Sequence, residues 1–145
     1  MNTNIKFVMM AALSACTSME AHDAKPYALS FRVHDGYQAV YARTLQTMRQ
    51  CLNPGSGYFF SPVTEQMDAQ LYPDLGFGEI TRYQANVVAI PWSTTRIAKQ
   101  GSETVVSIKV SSKIASAERQ SLAWLSYWAK GGSACPRFTE PPPES

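Results

Sequence analysis

Only three of the 145 residues are cysteine and two are histidine, and none of the cysteines forms a CxxC pair. That leaves no ligand spacing for a structural zinc site. No serine sits in a Gly-x-Ser-x-Gly elbow, so the strand-to-helix nucleophile of the α/β-hydrolases is excluded. Gly55-Ser56-Gly57 is followed by neither Lys-Ser/Thr nor a helix-opening pattern, which excludes a phosphate loop. Charge of one sign is also scarce. With 13 basic against 11 acidic residues, the chain has no electrostatic claim on nucleic acid. The apolar run from Phe7 to Ala15 spans about nine residues, far short of the roughly 20 that cross a bilayer as a helix.

What is present begins at the N-terminus. One cation, Lys6, precedes that short apolar run, which is the layout of an export signal. The run closes on Leu13-Ser14-Ala15-Cys16, which resembles the lipobox of bacterial lipoprotein precursors. The resemblance implies a signal peptide over 1–15, cleavage before Cys16, and lipidation of Cys16 as the first mature residue. Thr17 rather than aspartate follows the cysteine. In relatives with a two-membrane envelope, that implies sorting to the inner leaflet of the outer membrane, facing the periplasm. The competing reading is an ordinary signal cleaved before His22, after Met19-Glu20-Ala21, although Met19 suits such a site poorly.

Cleavage before Cys16 leaves 130 residues (145 less 15), enough for one domain with one core. Without Lys6 the mature chain has 12 basic against 11 acidic residues, so its contact with a membrane rests on the anchor. Cys51 and Cys135 remain as an even pair in a compartment that permits oxidation, and they are read as a disulfide. The alternative is two buried thiols.

Along the chain, residues 16–26 lack apolar periodicity and read as a flexible tether. Tyr27, Leu29, Phe31 and Val33 alternate with polar or small residues, giving a first strand. Asp35 with Gln38 has the form of a capping box. It opens a helix whose apolar arc contains Tyr37, Val40, Tyr41, Thr44, Leu45, Met48, Cys51 and Leu52. Asn53-Pro54-Gly55 ends that helix. Tyr58-Phe59-Phe60 suits a brief edge strand, and Met67, Ala69 and Leu71 begin a hairpin that turns at Pro73-Asp74-Leu75-Gly76. Pro91 predicts a bulge or an edge, dividing Gly78 to Ile90 from Trp92 to Ala98.

Val106, Ile108 and Val110 then share one face of a strand whose other face is wet. Ser112 or Ser116 caps a last helix that runs to about Lys130 and buries Ile114, Ser121, Leu122, Trp124, Leu125, Trp128 and Ala129. The proline-rich residues 136–145 read as a disordered tail, leaving 27–135 as a single domain. The fold class is α+β: an antiparallel sheet of five or six strands with two helices on one face, in β-α-β-β-β-β-α order. That order resembles the helix-grip arrangement of small envelope lipoprotein domains.

Few residues offer chemistry. His34-Asp35 is the one candidate base with an orienting carboxylate, but the capping box already employs Asp35. Glu65 and Asp68 fall on opposite faces of a strand and make no acid pair. Arg82, Arg96 and Lys109 could cluster on the exposed sheet face and hold an anionic group, but cations on a strand are usually solvated, and they are not assigned as a site. Trp92, Trp124, Trp128 and Tyr58 to Phe60 are core and rim, and the best place for a binding surface. No catalytic residue, metal ligand or cofactor site is assigned. The expected protein is therefore a non-catalytic envelope lipoprotein, anchored at Cys16, that meets a protein partner. The alternative is a carrier holding a small apolar ligand between helices and sheet.

Overall fold

Val106, Ile108 and Val110 stand on one side of their strand because successive side chains alternate, and all three are fully buried. That side is the floor of the molecule. The computed structural model describes residues 19–52, 64–85, 89–136 and 140–144. Within them, β1 (Leu29–Val33), β2 (Thr64–Tyr72), β3 (Phe77–Ala85), β4 (Ala89–Gln100) and β5 (Glu103–Val110) form one sheet in the order β1-β5-β4-β3-β2. Every neighbouring pair is antiparallel. Residues 19–24 are helical and are called α1. Two 15-residue helices, α2 (Tyr37–Cys51) and α3 (Ala115–Ala129), pack against each other over the floor. The α+β class and the β-α-β-β-β-β-α order follow the sequence reading, with five strands and α1 as a third helix.

The apolar arc of α2 does what its spacing requires. Val40, Tyr41, Met48, Cys51 and Leu52 are buried against Ile80, Ile97, Val106 and Ile108 in one core. From α3, Trp124, Leu125, Trp128 and Ala129 complete it. Arg43 joins the two helices, donating from Nε and Nη2 to the Ala129 carbonyl at 3.3 and 2.8 Å, where the C-terminus of α3 leaves that acceptor unpaired. A disulfide links Cys51 to Cys135, with Cα atoms 5.1 Å apart. It ties the last turn of α2 to the chain just beyond α3.

Several local expectations are corrected. The N-cap of α2 is Gly36 and no side chain caps it, because Asp35 is held instead by Arg43 at 2.5 Å. The N-cap of α3 is Ile114, which is 64% exposed rather than buried, and Ser112 bonds the Ile114 backbone in a local turn. Pro91 does not divide two strands: it lies inside β4, which runs from Ala89 to Gln100. A bulge does occur beside the proline: Arg82 pairs with Ser93 and Tyr83 with Pro91, so Trp92 is the extra residue.

The second sheet face is not wholly wet either. Part of the stretch read as a tether, 19–24, is helical and lies on that face, since His22 finds polar partners on β4 and just after β5. The tail also makes contact. Pro136 is buried, and Trp124 Nε1 donates to the Glu140 carbonyl at 3.1 Å. The expectations placed on Cys16, Asn53-Pro54-Gly55, Gly55-Ser56-Gly57 and Tyr58-Phe59-Phe60 lie outside the described residues.

Candidate functional site

Side chains two apart on β3 share a face, so Arg82 follows Ile80 onto the helix side of the sheet. The expectation that Arg82 sits with Arg96 and Lys109 on the exposed face is therefore corrected, and Lys109, though on the other face, is buried under α1 rather than solvated. On the helix side Arg82 cannot reach bulk water, and it pairs with Glu65 of β2, Nη2 to Oε1 at 2.7 Å, with both side chains only 8% exposed. The bulge brings Trp92 to the same side. Beneath α3 these residues border a cavity of about 210 Å³, walled by Leu52, Arg82, Trp92, Trp124, Leu125 and Trp128. All three tryptophans of the chain thus converge on one space.

The polar atoms around it are poorly matched. Among the described residues, the buried side-chain atoms without a hydrogen-bond partner are Glu65 Oε2, Arg82 Nε, Trp92 Nε1, Ser93 Oγ and Thr95 Oγ1. Ser93 pairs with Arg82 and Thr95 with Ile80 across the ladder, so these atoms sit together on the helix-facing side. Buried polar groups are ordinarily satisfied, and each exception costs about 1–3 kcal/mol. Unmatched polar atoms beside a cavity lined largely by aromatic and apolar side chains are the arrangement of a small-molecule pocket.

The opposite face carries a second, polar recess of about 200 Å³ between α1 and strands β2 to β5. His22 of α1 is buried, bonded through Nδ1 to the Ser111 hydroxyl and through Nε2 to the Thr94 hydroxyl at 2.7 Å. Thr94 is in turn 3.1 Å from Thr81. Burial holds the His22 pKa below its ordinary 6.5; Lys109 and Lys25 lower it further, and Asp23 opposes them. Lys109 Nζ donates to the Asp23 carbonyl at 3.3 Å, and Lys25 binds the Val110 carbonyl and, at 3.1 Å, Glu118. Arg96 lies on this face over the Phe77 ring, 3.7 Å from its centroid, and 3.4 Å from Glu79. Burial, then Asp68, raises the Tyr83 hydroxyl. These contacts join α1 to the sheet. The role of His22 escaped the sequence reading because no periodicity marks a six-residue helix that docks through polar contacts.

The remaining candidates do not assemble. The His34 side chain is almost fully exposed, 4.0 Å from Glu103, while Asp35 is engaged by Arg43. Glu65 and Asp68 do face opposite sides of β2, one toward Arg82 and the other toward the α1 recess. Among the described residues, no group of three or more His, Cys, Asp or Glu could hold a metal ion, and no helix is long and apolar enough to cross a membrane. Comparison of the chain with protein-family models, curated proteins and solved structures gives no match. The arrangement therefore defines the molecule by itself: an α+β domain with a tryptophan-lined cavity on one sheet face and a short N-terminal helix on the other.

Proposed function

We propose that the protein is a lipid-anchored component of the bacterial cell envelope, acylated at Cys16, held to the inner leaflet of the outer membrane and facing the periplasm. It acts there without catalysis, as a structural or protein-interaction module. The lipobox-like Leu13-Ser14-Ala15-Cys16 motivates the anchor. The observation that carries the reading is α1: the helix runs unbroken through Ala21 and His22, and His22 is packed on the sheet. Cleavage before His22 would cut an ordered element in half, whereas cleavage before Cys16 keeps it whole.

Three peptide units separate Cys16 from Met19, at most about 11 Å of chain. The anchor thus holds the domain against the headgroups. Met19 lies in the recess beside Tyr72, and the nearby β2–β3 turn exposes Leu71, Tyr72 and Leu75. A patch of that kind suits contact with an envelope partner. Replacing Cys16 with Ser should move the protein from the membrane fraction to the soluble periplasm, or leave an uncleaved precursor. Wild-type protein recovered wholly in the soluble fraction would contradict the anchor.

A second reading is favoured by one specific observation, the 210 Å³ cavity between α3 and the sheet. It supports an anchored carrier of a small, largely apolar ligand.

A further inference from the structure

Resting on the carrier reading, we propose that the cavity beneath α3 binds a small monocarboxylic acid, its carboxylate against Arg82 and its apolar body among the tryptophans. The argument starts from the guanidinium. Arg82 is 6% exposed and lines the cavity, yet among the described residues its side chain bonds only Glu65, through Nη2, and its buried Nε has no partner. A guanidinium offers five N–H donors in a planar fork that matches a carboxylate. In Arg82 the Nε in particular is buried without a partner.

The neighbouring wall residue repeats the pattern. Trp92 lines the same cavity, and its indole N–H is buried without an acceptor. Indole and guanidinium can only donate. Neither N–H is matched where it stands, although Glu65 Oε2 is itself unpartnered beside Arg82, and a ligand carboxylate would supply acceptor oxygens to both. Glu65 balances the charge of Arg82 without using up its fork, since it takes only one of the N–H groups. The rest of the wall combines the apolar and aromatic surface of Leu52, Trp124, Leu125 and Trp128 with the polar side chains of Gln84, Gln120 and Ser121.

Volume bounds the body of the ligand. A cavity of 150 Å³ accepts benzene, so 210 Å³ admits roughly eight or nine non-hydrogen atoms, the size of a benzoate or a six-carbon fatty acid.

Because all three tryptophans border the cavity, their intrinsic fluorescence reports occupancy directly. The mature protein is titrated with benzoate, with hexanoate, and with toluene as the same aromatic body lacking an acceptor. Both acids should give saturable changes in emission, with toluene binding at least tenfold more weakly. Two variants locate the contact. The double variant R82Q/E65Q replaces the ion pair without leaving a lone buried charge, and it should lose the preference for acid over toluene. Trp92→Phe keeps the aromatic wall and removes only the N–H donor, so it should weaken benzoate several-fold and leave toluene unchanged.

If toluene binds as tightly as benzoate, or if R82Q/E65Q keeps the preference, the proposed ligand class is overturned and an apolar carrier survives. If none of the three compounds changes the emission, both the ligand class and the carrier reading fail.

Discussion

At position 78 the chain tolerates no side chain. A Cβ built on Gly78 would lie 2.5 Å from Tyr41 Cδ2, 2.8 Å from Tyr41 Cε2 and 3.0 Å from Leu71 Cδ1. Tyr41 is part of the buried arc of α2, and its ring closes on the sheet because β3 offers no bulk there. Gly78→Ala must therefore push α2 off the floor or turn the ring out. Overpacking of this kind costs about 1–3 kcal/mol. Urea unfolding should show a lower midpoint with little change in slope, and an unchanged midpoint would refute the close approach. A single residue type here decides how near a helix can come.

At the scale of elements, α1 is the least secure, because polar contacts rather than an apolar face hold it. Its His22 has a pKa lowered first by burial and then by Lys109 and Lys25, against the opposing Asp23. A released His22 therefore takes up a proton at higher pH than a docked one. Docking is fully favoured above about pH 6.5 and weakens as pH falls toward the depressed value. Hydrogen exchange of residues 19–25, corrected for intrinsic rates, should show more opening at about pH 5 than at pH 7.5, while strand β5 changes less. Equal protection at both pH values would mean that His22 does not latch the helix.

The same contrast explains what was legible in the sequence. The strands with Leu29, Phe31 and Val33 and with Val106, Ile108 and Val110, and the two long helices, carry repeating apolar patterns that only one local structure satisfies. The Asp35 capping box did not form because Arg43, two turns into the helix, takes its carboxylate, and Ile114 stands at the N-cap of α3, outside the helical periodicity that placed it on the buried face. Arg82 was misplaced for a different reason. A cation invites assignment to water, although its parity with Ile80 already pointed inward, and Glu65, read only against Asp68, was its partner. The cavity itself required the bulge at Trp92, which shifts one residue out of the alternation that sequence reading relies on.

The molecule as a whole is closed by the Cys51–Cys135 bridge, whose partners stand 84 residues apart in sequence. In the chain-entropy account, a loop of that length contributes about 4.5 kcal/mol by restricting the unfolded chain. For a domain whose total stability is about 5–15 kcal/mol, that is a large share. Reduction, or Cys51→Ala, should lower the melting temperature by roughly 10 °C or more. It should also loosen the segment after α3, where the Ala134 carbonyl accepts from Trp128 Nε1 at 2.9 Å. Two reactive thiols per chain in the unreduced, denatured protein would contradict the bridge.

That bridge and the proposed anchor share a premise, namely export into an oxidising envelope compartment. Mass spectrometry of the intact mature protein, purified unreduced from membranes, tests that premise most directly. The account predicts a chain that begins at Cys16, carries acyl groups on that residue, and is two hydrogens lighter than its thiol form. An unmodified chain beginning at Met1 or at His22 would contradict it.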